Sequence, residues 1–209
     1  MNYYQRYALY FAPHAESDLG TFGNGWLGRE PAQDIDLPRP EISNLNANDI
    51  IAATTSPTRY GFHGTLKPPF ALKNGQGLSG LEAAVERLCA DAAPITCGPL
   101  ILKSIGQFLA LVPTEPVTPL ENLAGMLVRG LDAFREPEDA AGMNKRRSAG
   151  LTERQEDYLI AWGYPYVMEE FRFHLTLSNK LDPEQLARFE ASLRPIIAPL
   201  CDAPFQIDD

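Results

Sequence analysis

Two five-residue segments constrain this chain more than any other feature: Phe62-His63-Gly64-Thr65-Leu66 and Phe173-His174-Leu175-Thr176-Leu177. Both read aromatic-His-x-Thr-Leu, and together they use two of only three histidines in 209 residues. Each is followed by a helical pattern and then by a matching segment, Ala93-Pro94-Ile95-Thr96 in one half and Ala203-Pro204-Phe205-Gln206 in the other. His63 lies 31 residues before Pro94, and His174 lies 30 before Pro204. A motif repeated at equal distance from a second landmark is the mark of an internal duplication. The expectation is one α+β domain, bilobal with pseudo-two-fold symmetry, antiparallel sheets lining a central cleft and helices outside. One lobe would centre on about 57–113 and the other on about 165–209 together with the N-terminal strand. The second copy stops at Asp209, just after its strand would begin. Either the N-terminal strand completes that lobe, or the natural chain runs further.

The elements follow from periodicity and punctuation. Tyr3 to Phe11 reads as a strand ended by Pro13, and His14 to Arg29 as a short helix broken by Gly23 and Gly25. Pro31 to Pro57 is turn-rich, with one helical turn around Asn48 to Ala53. Tyr60 to Lys67 is a strand stopped by Pro68-Pro69. Ser79 to Ala92 is a helix opened by a Ser79/Glu82 capping box. Ile95 to Lys103 and Gln107 to Val112 form a hairpin, and Pro116 to Phe134 is an amphipathic helix. Arg135 to Gly150 reads as a polar loop whose Lys145-Arg146-Arg147 could cover an anionic ligand, a solvated turn being the plainer alternative. Thr152 caps a helix to Trp162, Phe171 to Leu177 is a strand, and Asp182-Pro183-Glu184-Gln185 opens the last helix.

Strand alternation gives the motif its chemical sense. His63, Thr65 and Lys67 would share one face, with Phe62 and Leu66 in the core; likewise Arg172, His174, Thr176 and Ser178 would share one face of their strand, with Phe171, Phe173, Leu175 and Leu177 on the other. The charge pattern agrees. The chain carries a net charge of -9, yet Ile50 to Leu81 and Phe171 to Leu181 contain no acid, while holding Arg59, Lys67, Lys73, Arg172 and Lys180. If the halves face each other, the imidazoles of His63 and His174 can act as base and acid near neutral pH. Thr65 and Thr176 can donate to phosphoryl oxygens, and Lys67 or Arg172 can offset charge. Tyr60, Tyr10 and Arg59 are candidate substrate contacts. The expected chemistry is metal-independent and cofactor-free opening or hydrolysis of a small cyclic phosphate or phosphodiester.

These motifs resemble the 2H phosphoesterase superfamily, marked by two hydrophobic-His-x-Thr-hydrophobic strands. Arg59 to Phe70, Trp162 to His174 and Tyr10-Phe11-Ala12-Pro13 are closest to the branch of uncharacterised proteins often encoded beside phosphonate-utilisation genes. The resemblance implies that His63, Thr65, His174 and Thr176 are the catalytic and phosphate-binding residues. It also implies, through that neighbourhood, a ribose phosphate ester from phosphonate breakdown. Gly64 stands where Ala is the more frequent residue of the branch. A non-catalytic nucleotide or RNA-end binding module, and an enzyme processing RNA 2′,3′-cyclic phosphates, are the alternatives.

Composition narrows the partners. The negative charge argues against an extended nucleic-acid footprint, leaving short RNA ends open. No apolar run approaches 18 residues, so no membrane span is expected. The start of the chain lacks an apolar signal region, and Cys89, Cys97 and Cys201 show no CxxC spacing, which fits a reducing cytoplasm and gives no metal site. Oligomeric state is not legible.

Overall fold

The computed structural model describes residues 5–208. Its centre is a five-stranded antiparallel sheet in the order β1-β4-β8-β7-β6, formed by Arg6–Phe11 (β1), Gly64–Ala71 (β4), Leu175–Thr176 (β8), Phe108–Pro113 (β7) and Leu100–Ile105 (β6). Two small ladders complete it, Arg29–Glu30 (β2) with Ile35–Asp36 (β3), and Ile95–Cys97 (β5) with Phe205–Ile207 (β9). The α+β expectation holds. The motif strands, however, do not face each other from separate sheets. They are hydrogen-bonded neighbours, paired at Gly64↔Leu175, the residue after each motif histidine. The short strands after each Ala-Pro also pair with each other, with Thr96 opposite Gln206. The N-terminal strand lies on β4, not beside the second motif; its expected first residues, Tyr3 and Tyr4, fall outside the described residues.

One face of the sheet is buried by helices. Pro183–Cys201 (α7) packs on β6 and β7 and buries Phe189, Leu193 and Ile197, while Leu100, Leu102, Leu109, Leu111, Leu175 and Leu177 meet it from the strands. Asp182 and Gln185 form the capping box that opens α7. Asp18–Leu27 (α1) runs through Gly20, Gly23 and Gly25 without a break. A methyl at Gly23 would collide with the ring of Phe62, so this glycine is a close-approach position between α1 and the first motif. Trp26 is fully buried and donates its indole N–H to the Leu177 carbonyl at 2.7 Å, tying α1 to the second motif. Thr118–Gly130 (α4) covers β4, with Leu78–Cys89 (α3) packed on α4.

Several local expectations change for identifiable reasons. β4 continues through Pro68-Pro69 because the β1–β4 ladder slips between Leu9↔Lys67 and Tyr7↔Phe70, a bulge where the missing N–H is tolerated. The α3 helix begins one residue earlier than expected, with Gly77 as N-cap and no side-chain cap, so Ser79 lies inside it. The polar loop holds a helix, Ala140–Arg147 (α5), opened by Asp139, which accepts from the Gly142 N–H. That helix is tethered: Arg146 pairs with Glu138 at 2.7 Å and Arg147 with Glu156 at 2.6 Å.

Candidate functional site

The Gly64↔Leu175 pairing decides how the motif residues meet. Continuing that antiparallel register one residue each way sets His63 opposite Thr176 and Thr65 opposite His174. Opposite residues share a face, with Cβ atoms about 5 Å apart. That register, extended past the single bridge, gives a square of two imidazoles and two hydroxyls on the sheet face turned away from Phe173, Leu175 and Leu177. Gly64 sits at the centre of the pairing on the core side. A methyl there would collide with the Phe173 ring, itself stacked on Phe205 at 5.9 Å.

Both imidazoles are held alike. His63 Nδ1 meets the Gly61 carbonyl at 2.9 Å, and His174 Nδ1 meets the Arg172 carbonyl at 2.7 Å. A carbonyl only accepts, so Nδ1 carries the proton in each ring and Nε2 is left for a ligand. Gly61 can present its carbonyl because its φ is 77°, a left-handed conformation that glycine adopts without strain. The Tyr10 ring stacks on His63 with centroids 3.7 Å apart, and Phe108 tilts against His174 at 5.7 Å. Burial pulls the His63 pKa below 6.5; the Gly61 carbonyl opposes this and the charge of His174 adds to it. Burial likewise raises the Tyr10 phenol, helped by Tyr60.

A cavity of about 320 Å³ is bordered by His63, Thr176, Tyr60, Pro57, Phe108 and Lys180, whereas His174 and Thr65 do not line it. Sequence reasoning missed Phe108 and Lys180 as site residues; Lys180 belongs to the second acid-free island, whereas nothing in the sequence marks Phe108. Tyr60 and Tyr10 fall where expected, one on the cavity wall and one on His63.

Lys67 and Arg172 are corrections. Between Tyr10↔Thr65 and Leu9↔Lys67 the ladder slips by one residue, so Leu66 is extra and the alternation that would place Lys67 beside Thr65 is broken. Lys67 is 2% exposed, and its ammonium donates to the Val128 carbonyl near the end of α4 at 3.2 Å. Burial lowers its pKa from 10.5 to about 8; Asp132 opposes the shift and Arg135 adds to it. Arg172 is exposed and folds back on its own backbone, donating to the carbonyls of Glu169 and Phe171. Arg59 is exposed and does not border the cavity; its carbonyl accepts from Arg29 at 2.9 Å. Ser178 is buried and bonded to Leu109 N and the Asn179 carbonyl, so its hydroxyl belongs to the fold.

Fold and site together define an α+β protein whose two motif strands pair at Gly64 and Leu175, beside a cavity bordered by His63 and Thr176. More particularly, the chain belongs to the family described as protein of unknown function (DUF1045), whose model matches residues 65–209. It is also similar to two proteins named ribose 1,5-bisphosphate phosphokinase PhnN. The one from Janthinobacterium sp. (strain Marseille) is 37% identical over 176 residues, covering 84% of this chain and 39% of the relative. The one from Laribacter hongkongensis (strain HLHK9) is 33% identical over 192 residues, covering 89% and 44%. The chain thus spans less than half the length of these curated relatives. No solved structure matches significantly. These names overturn the expectation of a hydrolytic phosphoesterase: the relatives are named for phosphoryl transfer to a sugar phosphate, not for cleavage of a diester. No helix among the described residues is long and apolar enough to cross a membrane.

Proposed function

We propose that this chain carries the ribose-phosphate site of an enzyme of phosphonate metabolism. A phosphoryl group sits over the square, with Thr65 and Thr176 donating to its oxygens and the two Nε2 atoms on either side. The observation that carries this reading is the pairing of the motif strands, with both Nδ1 atoms fixed on carbonyls. The Thr65 and Thr176 hydroxyls are the donors for the anion, and a neutral Nε2 can accept an O–H of the phosphate ester. Burial favours the neutral imidazole of His63, which leaves its Nε2 as an acceptor. The ligand class is supported by the relatives' names, which specify a ribose bisphosphate, and by the resemblance to the phosphonate-associated 2H branch.

Two pairings support a duplicated, pseudo-two-fold arrangement of this 2H type. Gly64 and Leu175, which occupy equivalent places in the two motifs, face each other, and so do Thr96 and Gln206 after the two Ala-Pro landmarks. A two-fold axis through both pairs would exchange His63 with His174, which is how one phosphoryl group meets two equivalent imidazoles. The kinase name describes longer proteins. This chain has no G-x-x-x-x-G-K-[ST] phosphate loop, so we assign to it the sugar-phosphate side of the chemistry. Calorimetric titration with ribose 5-phosphate and with ribose tests the reading. The phosphate ester should bind and the sugar should not, and His174→Ala should weaken the ester roughly tenfold or more, the loss of one charge-assisted hydrogen bond. Equal binding of sugar and ester would refute it.

A further inference from the structure

Beyond the square, the cavity has a second polar edge that the reading above does not use. Lys180 and Ser56 border it, and neither the Lys180 ammonium nor the Ser56 hydroxyl has a hydrogen-bond or ion-pair partner among the described residues. Their surroundings are fixed. The Asn179 side chain donates to the Ala52 carbonyl at 2.7 Å and to Thr55 Oγ1 at 2.9 Å, and accepts from the Ser56 N–H at 2.8 Å. Its own N–H donates to the Ala53 carbonyl at 2.6 Å. These four bonds lock the turn after the helix Ala47–Thr54 (α2) onto the chain leaving β8, so the backbone that carries both side chains is in place before a ligand arrives. Pro57, the 56%-exposed Tyr60 and Phe108 supply the apolar part of the cavity lining.

We propose that Ser56 and Lys180 form a second anion position, so that the ligand is a small sugar bearing two phosphate groups. This rests on the ribose-phosphate reading of the square. One phosphate lies between the histidines and threonines, the sugar's C–H faces lie against Tyr60 and Phe108, and the second phosphate meets Lys180 and Ser56. Four residues of chain, at most about 13 Å, separate Thr176 from Lys180, and both border the same cavity. A cavity of about 320 Å³ is at the small end of ligand sites and suits such a sugar better than a dinucleotide.

Titration calorimetry of the full chain with ribose 1,5-bisphosphate and ribose 5-phosphate separates the two anion positions. The wild type should prefer the bisphosphate by about tenfold, the worth of one charge-assisted contact. Lys180→Gln should erase that preference while leaving ribose 5-phosphate within about twofold, and Lys180→Arg should keep it. No preference in the wild type, or an equal loss for both ligands in Lys180→Gln, overturns the second position while the square stands. If His174→Ala leaves both affinities untouched, the square itself is wrong. If neither ligand binds the wild type, both fall together.

Discussion

Lys67 offers a test of the packing that displaced it from the site. Its ammonium is buried on the Val128 carbonyl and 4.8 Å from the centre of the Phe70 ring, and its pKa is lowered from 10.5 to about 8. The folded protein therefore binds this proton less tightly than the unfolded chain does. Between about pH 8 and 10.5 the unfolded state holds more protons, so stability rises with pH across that window. The stabilisation is complete above the unfolded value and is lost as pH falls through the folded one. The gap corresponds to at most about 3 kcal/mol. Lys67→Met removes the titration while keeping length and apolar bulk. Urea unfolding of both proteins from pH 7 to 10.5 should give curves that diverge, the wild type gaining about 2–3 kcal/mol over the variant as pH rises. Tyrosines that ionise in this range are shared by both chains and cancel. Parallel curves would refute the burial argument. The same variant should bind ribose 5-phosphate as the wild type does, because Lys67 points away from the square.

Other consequences follow from the same geometry. Gly64→Ala forces a methyl into the Phe173 ring and should lower stability by about 1–3 kcal/mol, read as a fall in Tm; an unchanged Tm would mean that Phe173 does not rest on the motif pairing. His63 should titrate below 6.5 by NMR, and His174→Ala should move its midpoint upward without restoring the ordinary value, since burial is the larger cause. A His63 midpoint at or above 6.5 would remove the basis for leaving its Nε2 as an acceptor. Asn179→Ala should weaken ligand binding by freeing the Ser56 turn, although Asn179 has no side-chain donor left for the ligand.

The parts of this structure legible in the sequence are those set by local pattern. The motif alternation put Phe173, Leu175 and Leu177 in the core and His174 with Thr176 outside, and Asp182 with Gln185 announced the last helix. What escaped was set by contacts between distant segments. Lys67 left the site because β1 pairs with β4 through a bulge, which no pattern within β4 records. Gly23 sits in mid-helix because the Phe62 ring fills the space a side chain would need, a long-range contact that glycine's local propensity does not record. The two lobes were expected to face each other because spacing reveals a duplication but not how its copies join. Phe108 and the Asn179 lock depend on β7 lying beside β8 and on α2 reaching the end of β8, neither of which spacing encodes. The reaction class was read from the paired imidazoles and hydroxyls and from the motif's resemblance, and the relatives' names corrected it.

The central claim is that one phosphoryl group lies between His63 and His174. Imidazole NMR signals of both residues, followed while ribose 5-phosphate is added, test it most directly. The account predicts that both rings shift together along a single saturable binding curve, that Nε2 responds more than the carbonyl-bound Nδ1, and that ribose alone shifts neither. A response confined to one histidine, or two unrelated curves, would contradict a phosphate shared by the two motif strands.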